Sequence, residues 1–431
     1  MISTEQLLSD LIRIDTVNPP GNETAAAEYL KEIFDQAGIS SEIVETAPGR
    51  GSFFARLGEG EKKLLFLSHT DVVPAGEEGW NFPPLSGEIK DGIVYGRGAI
   101  DCKSLVAAQA AAMLKLKEEG INFNGTLIFA ATADEEKAGT YGVKQLMKEC
   151  PDRLTADFAV NEGGAEPVVM NGTNVYFIQV GEKGTAWSRI ESRGTSCHGS
   201  MPTVGKNALK DMTRALSALF NYNPDIKLIP EVRLLLEEIC KIYGLENSLM
   251  EENLDKILDN FNDKAFAEAL RAMTRMTVSP NVVNGGNKTN TVPDYCSADV
   301  DIRILPGQDR EYVLNELREC IGEQLSIDVF NYYPPTFSSS QLEYYKVIEE
   351  TTREVAPPST ACLPHISPGA TDSRFLREAG IPAYGIGHMV PDFDQQIRET
   401  IHGKNERIDI KSLHLRTDFL VKLAKNYLLQ R

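Results

Sequence analysis

The sequence lacks any CxxC pair, and its seven cysteines (102, 150, 197, 240, 296, 320 and 362) are scattered and odd in number. That pattern argues against a disulfide framework and reads as reduced thiols in a cytoplasmic protein. No 18 apolar residues run uninterrupted, so no membrane-spanning helix is expected. Met1–Glu45 carries charges throughout and offers no apolar run fit for a signal-peptide core. Positive charge is also short. In 431 residues, 44 Lys+Arg stand against 62 Asp+Glu, a formal charge of −18. Nucleic acids and anionic membranes need a cationic face, so neither is an expected partner, although a few local arginines would still hold a small anion. There is no internal repeat and no low-complexity tract.

What is present describes a globular chain. An apolar share of 42% and a charged share of 25% exclude a disordered or fibrous class, and the length suggests two or three domains. The N-terminal part alternates amphipathic helices (5–14, 24–37, 104–116, 141–148) with strands (41–45, 53–57, 63–68, 126–131, 158–161). Leu64-Leu65-Phe66-Leu67 is apolar on both faces, like a central strand. This alternation predicts a three-layer α/β domain with a mainly parallel sheet. From about residue 180 the order becomes strand, helix, two strands, helix, strand, that of a ferredoxin-like α+β unit. An acidic, helix-patterned stretch, 223–273, interrupts it. After Tyr333-Pro334-Pro335 the first pattern resumes. The expected architecture is therefore a discontinuous main domain, 1–179 and 337–431, interrupted by a smaller one, 180–336, that carries a helical insertion.

Ligands of an open α/β sheet gather beyond the carboxyl ends of its strands. Here those ends are rich in acids and histidines. His69 and Asp71 follow the Leu64–Leu67 strand. Asp101 follows Gly96-Arg97-Gly98, a pair of glycines that lacks the third glycine of a dinucleotide fingerprint and does not immediately follow an expected strand. Asp134-Glu135-Glu136 follow the strand 126–131, Glu162 follows 158–161, and His402 precedes the last helix. Each has a plainer reading on its own: a polar strand end for His69 and Asp71, a helix N-cap for Asp101, solvated loop acids for Glu135 and Glu136, a structural histidine for His402. Together they supply mixed His/carboxylate ligation of the kind that suits zinc or a similar divalent ion, with a shared aspartate suiting a pair of them.

The segments SHTDVVPAG (68–76), YGRGAIDCKS (95–104), ADEEKAG (133–139), NEGG (161–164), SCHGSMP (196–202), NTVPDYCSADVDIRILPG (290–307), SPGATDSRFLR (367–377) and IHGKNE (401–406) resemble the co-catalytic zinc aminoacylase/carboxypeptidase family. Its members include aminoacylases, acetylornithine deacetylase, succinyl-diaminopimelate desuccinylase, glutamate carboxypeptidases and several dipeptidases. The resemblance runs from about residue 10 to the C-terminus. It is specific for the family and poorly specific for the substrate.

The resemblance implies two Zn²⁺ per subunit, replaceable by Co²⁺ or Mn²⁺. Asp101 would bridge them, with His69 and Glu162 completing one shell and Glu136 and His402 the other. Glu135 would be the general base for attack by a metal-bridging hydroxide, and Asp71 would orient His69. One of two adjacent carboxylates would thus neutralise the metals while its neighbour stays free to take a proton. The family match further implies a homodimer formed through the 180–336 domain as lid, with His198 stabilising the oxyanion in a neighbouring subunit's site. Asn290 and Arg303 match lid positions that contact substrate, although Arg303 also reads as a surface charge on a strand edge. Arg374, within Gly369-Ala370-Thr371-Asp372-Ser373-Arg374, matches the arginine that grips a free carboxylate, with Gly369 and Thr371 beside it. The expected activity is hydrolysis of the amide of an N-acyl amino acid or of a short peptide with a free carboxylate. A dipeptidase or carboxypeptidase of the same fold, or a non-catalytic protein that binds an amino-acid derivative, are the alternatives. Ser104 departs from the glycine common in the family. Cys102 and Cys197 read as small fillers, and His365 and His388 as loop histidines.

Overall fold

The computed structural model describes residues 2–76, 78–245 and 251–429. The chain forms two compact units: Met1–Val180 with Ser338–His365 and Thr371–Arg431, and Gly181–Phe337 with Ile366–Ala370.

In the first unit the sheet runs in the order Ser40–Glu45, Gly51–Leu57, Gly125–Thr132, Lys62–His69, Phe158–Asn161, Ala383–Gly385, Thr173–Glu182. The four strands from Gly125–Thr132 to Ala383–Gly385 are parallel, and antiparallel neighbours flank them on both sides. Side chains of a strand alternate between faces, and both faces here are covered. Leu65, Leu67, Ile128, Ala130 and Ala159 pack against Val143, Leu146, Phe375 and Leu376. On the other face Phe53 and Phe129 meet Phe34 of the helix Glu23–Gln36, with ring centroids 5.0 and 5.9 Å away. Phe158 meets Tyr427 of the terminal helix Ile410–Leu428 at 4.9 Å. The Ala-rich helix Lys103–Glu118 packs against that terminal helix and against the central strands, which leaves most of its circumference buried. Small side chains permit this close approach on several sides at once.

The second unit is a four-stranded antiparallel sheet in the order Thr277–Gly285, Tyr295–Ile304, Gly184–Arg193, Ser326–Tyr333. The helices Ala208–Phe220 and Arg310–Ile321 cover one face through Met212, Ala215, Leu219, Val313 and Leu317. The stretch 223–273 contains the helices Pro230–Ile242, Leu254–Asp259 and Lys264–Met273, while its residues 246–250 lie outside the described residues.

Several local expectations change. The strands Thr173–Glu182 and Thr360–Ser367 have no counterpart in the pattern reading. His365 lies on the second of them, buried, and His388 is buried with its ring stacked on Phe419 at 3.8 Å, so neither is a loop histidine. A short strand, Ile93–Tyr95, does immediately precede Gly96. Asp101 does not cap the Ala-rich helix: Cys102 holds the cap position, with no side-chain hydrogen bond.

Candidate metal centre

The parallel strands end at one edge, and three of the four endings deliver a donor. His69 is the last residue of Lys62–His69, Glu162 follows Phe158–Asn161, and Glu135 and Glu136 sit in a 3₁₀ turn, Glu135–Lys137, beyond Gly125–Thr132. Asp101 and His402 come from loops, His402 with a left-handed φ of 56°.

These side chains converge in two clusters. His69 Nε2 lies 3.1 Å from Asp101 Oδ1 and 3.3 Å from Glu162 Oε1. His402 Nε2 lies 3.1 Å from Asp101 Oδ2 and 3.2 Å from Glu136 Oε1. The donor atoms of each cluster all lie within 4.8 Å of one another. Bonds of ~2.0 Å at tetrahedral angles would set ligand atoms about 3.3 Å apart, so the spacing fits a small divalent cation. The donor chemistry fits as well, since two neutral-capable imidazoles and three carboxylates face inward without a cationic side chain among them. Cys102 Sγ reaches the first cluster, but burial pushes its thiol up to about 12. The thiol accepts from the His69 backbone N–H at 3.2 Å, so Cys102 packs there as a neutral thiol.

The electrostatics show a site short of positive charge. Burial, reinforced by Asp101, pushes Glu162 up to about 7. Burial and then Glu162 raise Glu135 well above the ordinary carboxyl range. Hydrogen bonding to Asp101 and Glu136 lifts His402 to about 10. Burial opposes protonation of His69, but the carboxylates of Glu162, Asp101 and Asp71 raise it. Crowded carboxylates of this kind are relieved by a bound cation.

Three buried residues that the motif reading left without a role hold this arrangement. Asp71, expected to orient His69, meets its Nδ1 with the backbone carbonyl at 3.0 Å, and the Asp71 carboxylate lies 3.3 Å from the same nitrogen. It also accepts the backbone N–H groups of Glu135 and Glu136 at 3.1 Å each, and the side chain of Asn18 at 2.8 Å. Asn18 is the first of the three. Glu406 accepts from the backbone N–H groups of Gly98, Ile100 and Asp101 at 3.1, 2.8 and 3.0 Å and pairs with the buried Arg97, which donates to the Gly403 carbonyl at 2.8 Å. The loops carrying Asp101 and His402 are thereby tied together. Both residues lie inside the quoted motifs, which is the only signal the sequence offers for them.

The remaining predicted residues are not brought into these clusters. Thr371 and Arg374 belong to the first unit, where the guanidinium of Arg374 lies over the Phe375 ring at 4.6 Å. Beside them Asp372 is buried, its two carboxylate oxygens without a hydrogen-bond partner among the described residues, and burial pushes it up to about 7 against the pull of Arg374. Gly369, His198, Asn290 and Arg303 belong to the second unit. His198 and Asn290 are neighbours there: His198 pairs with Thr291 across a short ladder, and Gly199 N donates to the Asn290 carbonyl at 2.7 Å. Arg303 is engaged by Asp301 at 2.7 Å and by Thr185 at 3.2 Å.

Two cation-sized donor clusters sharing one aspartate, at the carboxyl edge of a parallel sheet, define a metallohydrolase. Residues 65–426 match the model of peptidase family M20/M25/M40. A probable succinyl-diaminopimelate desuccinylase of Staphylococcus aureus is 27% identical over 411 residues, covering 93% of this chain and 94% of that protein. The human N-fatty-acyl-amino acid synthase/hydrolase PM20D1 is 27% identical over 447 residues, covering 99% and 88%. Among solved structures, the M20 family metallo-carboxypeptidase Sso-CP2 of Sulfolobus solfataricus superposes with a TM-score of 0.73 over 100% of both chains, at 21% identity. The chain belongs to peptidase family M20/M25/M40 and is a metal-dependent hydrolase.

Proposed function

We propose that this protein hydrolyses the amide bond of an N-acyl amino acid, or of a short peptide bearing a free carboxylate, at a two-cation centre. The observation that carries the reading is Asp101, whose two oxygens face separate histidine–carboxylate clusters. His69, Asp101 and Glu162 would hold one cation, and Asp101, Glu136 and His402 the other. Zinc suits the mixed imidazole and carboxylate donors, with Co²⁺ or Mn²⁺ able to substitute. Bound there, the cations would lower the pKa of water toward neutrality and polarise a substrate carbonyl.

The chain's own groups do the rest. Glu135 stands next to a metal-ligand position yet outside both clusters, which leaves its carboxylate free to take a proton from water and return it to the leaving amine. Asp71, through its bonds to both glutamate backbones, fixes the turn that carries Glu135 and Glu136. Arg374 would grip the substrate carboxylate with Gly369 and Thr371 nearby. His198, Asn290 and Arg303 would act on substrate from the second unit, within a homodimer formed through that unit. The support for these last roles is the motif resemblance.

Chelation should abolish hydrolysis of N-acetyl and N-succinyl amino acids, and Zn²⁺ or Co²⁺ should restore it. Glu135→Gln should lose turnover by at least a thousandfold while keeping two cations. A Glu135→Gln protein that turns over normally would overturn the assignment. Mixing His198→Ala with Glu135→Gln chains should recover part of the activity if the histidine acts in trans, and no recovery rejects that sharing.

A further inference from the structure

Arg50 immediately precedes the strand Gly51–Leu57. That strand pairs antiparallel with Gly125–Thr132, Phe53 opposite Ala131, and the same register carried past the strand ends sets Arg50 opposite Asp134. The guanidinium is buried there between two carboxylates. Nη2 donates to Asp134 Oδ1 at 2.5 Å and to Glu23 Oε1 at 2.9 Å, and Nη1 to the Pro20 carbonyl at 2.6 Å and to Asn18 Oδ1 at 3.3 Å. Gly21 closes over it so tightly that a Cβ there would fall 2.0 Å from Nη1. An arginine has donors and no acceptor, so the bond from Nη1 fixes which end of the Asn18 amide is oxygen. The Asn18 Nδ2 is thereby left to donate to Asp71 Oδ2 at 2.8 Å and to Asp134 Oδ1 at 3.0 Å.

Both branches lead to the turn that carries Glu135 and Glu136. Asp134 opens the turn with a φ of 67°, and Ala138 closes it with one of 68°. Left-handed backbone at residues other than glycine persists only where the surroundings hold it. Asp134 is held by Arg50, by Asn18 and by the Tyr141 N–H at 2.7 Å, while its own N–H donates to Glu23 Oε1 at 3.3 Å. Asp71, at the end of the Asn18 branch, accepts the Glu135 and Glu136 N–H groups. Glu136 is held besides by His402 at 3.2 Å. Glu135 lies outside both clusters and depends on the turn for its position. We propose that Arg50 is a positioning residue for the general base, fixing the Glu135 turn through Asp134 directly and through Asn18 and Asp71. The inference rests on the amide-hydrolase reading above and adds to it a residue that belongs to neither cluster.

The test measures hydrolysis of N-acetyl and N-succinyl amino acids by the cation-loaded protein. Arg50→Met should lower kcat by about thirtyfold or more, the scale on which a small misplacement of a reacting group acts. KM should stay within about twofold, and two cations per chain should remain, because neither cluster is altered. Arg50→Lys should recover part of the rate: it keeps the charge, but a single ammonium nitrogen cannot reach all four acceptors. The decisive comparison places the same changes in Glu135→Gln, read by single-turnover rates. Residues that act as a unit are not additive, so in that background Arg50→Met should cost less than about twofold. A merely structural arginine would slow both backgrounds by the same factor, and that result overturns the proposal. So does an unchanged kcat in Arg50→Met, or a fall in kcat that tracks lost cations. If Arg50→Met does not fold, Arg50→Lys carries the same comparison. Failure of the amide-hydrolase reading is visible first, because the unaltered protein would then cleave none of the substrates, and the positioning role falls with it.

Discussion

Asp101 divides its carboxylate between two histidines, with Oδ1 3.1 Å from His69 Nε2 and Oδ2 3.1 Å from His402 Nε2. Asp101→Asn would keep the volume but turn one acceptor into an N–H donor, removing an anionic ligand from both clusters at once. We expect cation content after gel filtration to fall from two per chain to below one. His402→Ala, which touches one cluster, should lose one. Elemental analysis of the two variants distinguishes them, and two retained cations in Asp101→Asn would remove the bridging role.

The loops that present Asp101 and His402 are coupled through Glu406 and Arg97. Glu406→Ala would leave the buried Arg97 without its anion and free three backbone N–H groups. Removing one partner of a buried pair costs about 3–5 kcal/mol, and residues that support ligands typically change metal affinity by about 10–100-fold. The expected result is a lower urea midpoint together with a weaker second cation in a competition titration. An unchanged affinity would show that the tie is only structural.

How much of this was legible follows from where each signal lives. Leu64–Leu67 reads as a central strand because burial on both faces leaves a continuous apolar run, and the ligands announce themselves as acids and histidines at strand ends. Thr173–Glu182 escapes because Thr173, Asn174, Gln179 and Glu182 break its pattern, although Gln179 and Glu182 are buried by tertiary context. His388 escapes because a single histidine between Gly387 and Met389 carries no period, and its ring is buried by a distant helix. Asn18, Arg97 and Glu406 act through side-chain bonds to side chains and backbone of loops far apart in sequence, for which no local pattern exists. The division of Asp101 between two clusters is likewise a fact of three dimensions: the strand-end residues suggest a shared aspartate, and the assignment of partners to each side comes only through the family resemblance.

Asp71 is fully buried, and its carboxylate accepts from three donors and lies 3.3 Å from His69 Nδ1. Asp71→Ala would strand the Glu135 and Glu136 amides, at about 1–3 kcal/mol for each unsatisfied buried group. It would also remove the carboxylate 3.3 Å from His69 Nδ1, leaving the ring its bond to the backbone carbonyl of residue 71. We expect a loss of about 3 kcal/mol in stability and a large fall in kcat. Asp71→Asn should be milder in stability yet still impaired in kcat, because an amide presents only one oxygen acceptor to the two backbone donors. Chemical denaturation paired with steady-state kinetics checks both. A normal kcat in Asp71→Asn would show that the anionic charge on this residue is dispensable.

Acid sensitivity should trace in part to His388. Burial, with Arg416 adding to it, pushes its pKa down to about 3. Nε2 meets Thr352 Oγ1 at 2.8 Å, while that hydroxyl already donates to the Ile348 carbonyl at 2.8 Å. The ring therefore enters the fold neutral, as the Nε2–H tautomer. The folded pKa lies below the unfolded value of ~6.5, so the unfolded chain binds the extra proton. The stability that depends on the neutral ring is present above pH ~6.5 and is lost as the pH falls toward 3. At ~1.4 kcal/mol per pH unit, the loss between pH 6.5 and 5 is about 2 kcal/mol from this residue. His388→Phe would keep the stacking on Phe419 and leave Thr352 with its existing bond. The stability gap between the two chelated proteins, measured by urea denaturation, should therefore shift by about 2 kcal/mol in favour of the variant across that range. Parallel pH curves would show that His388 does not titrate on unfolding.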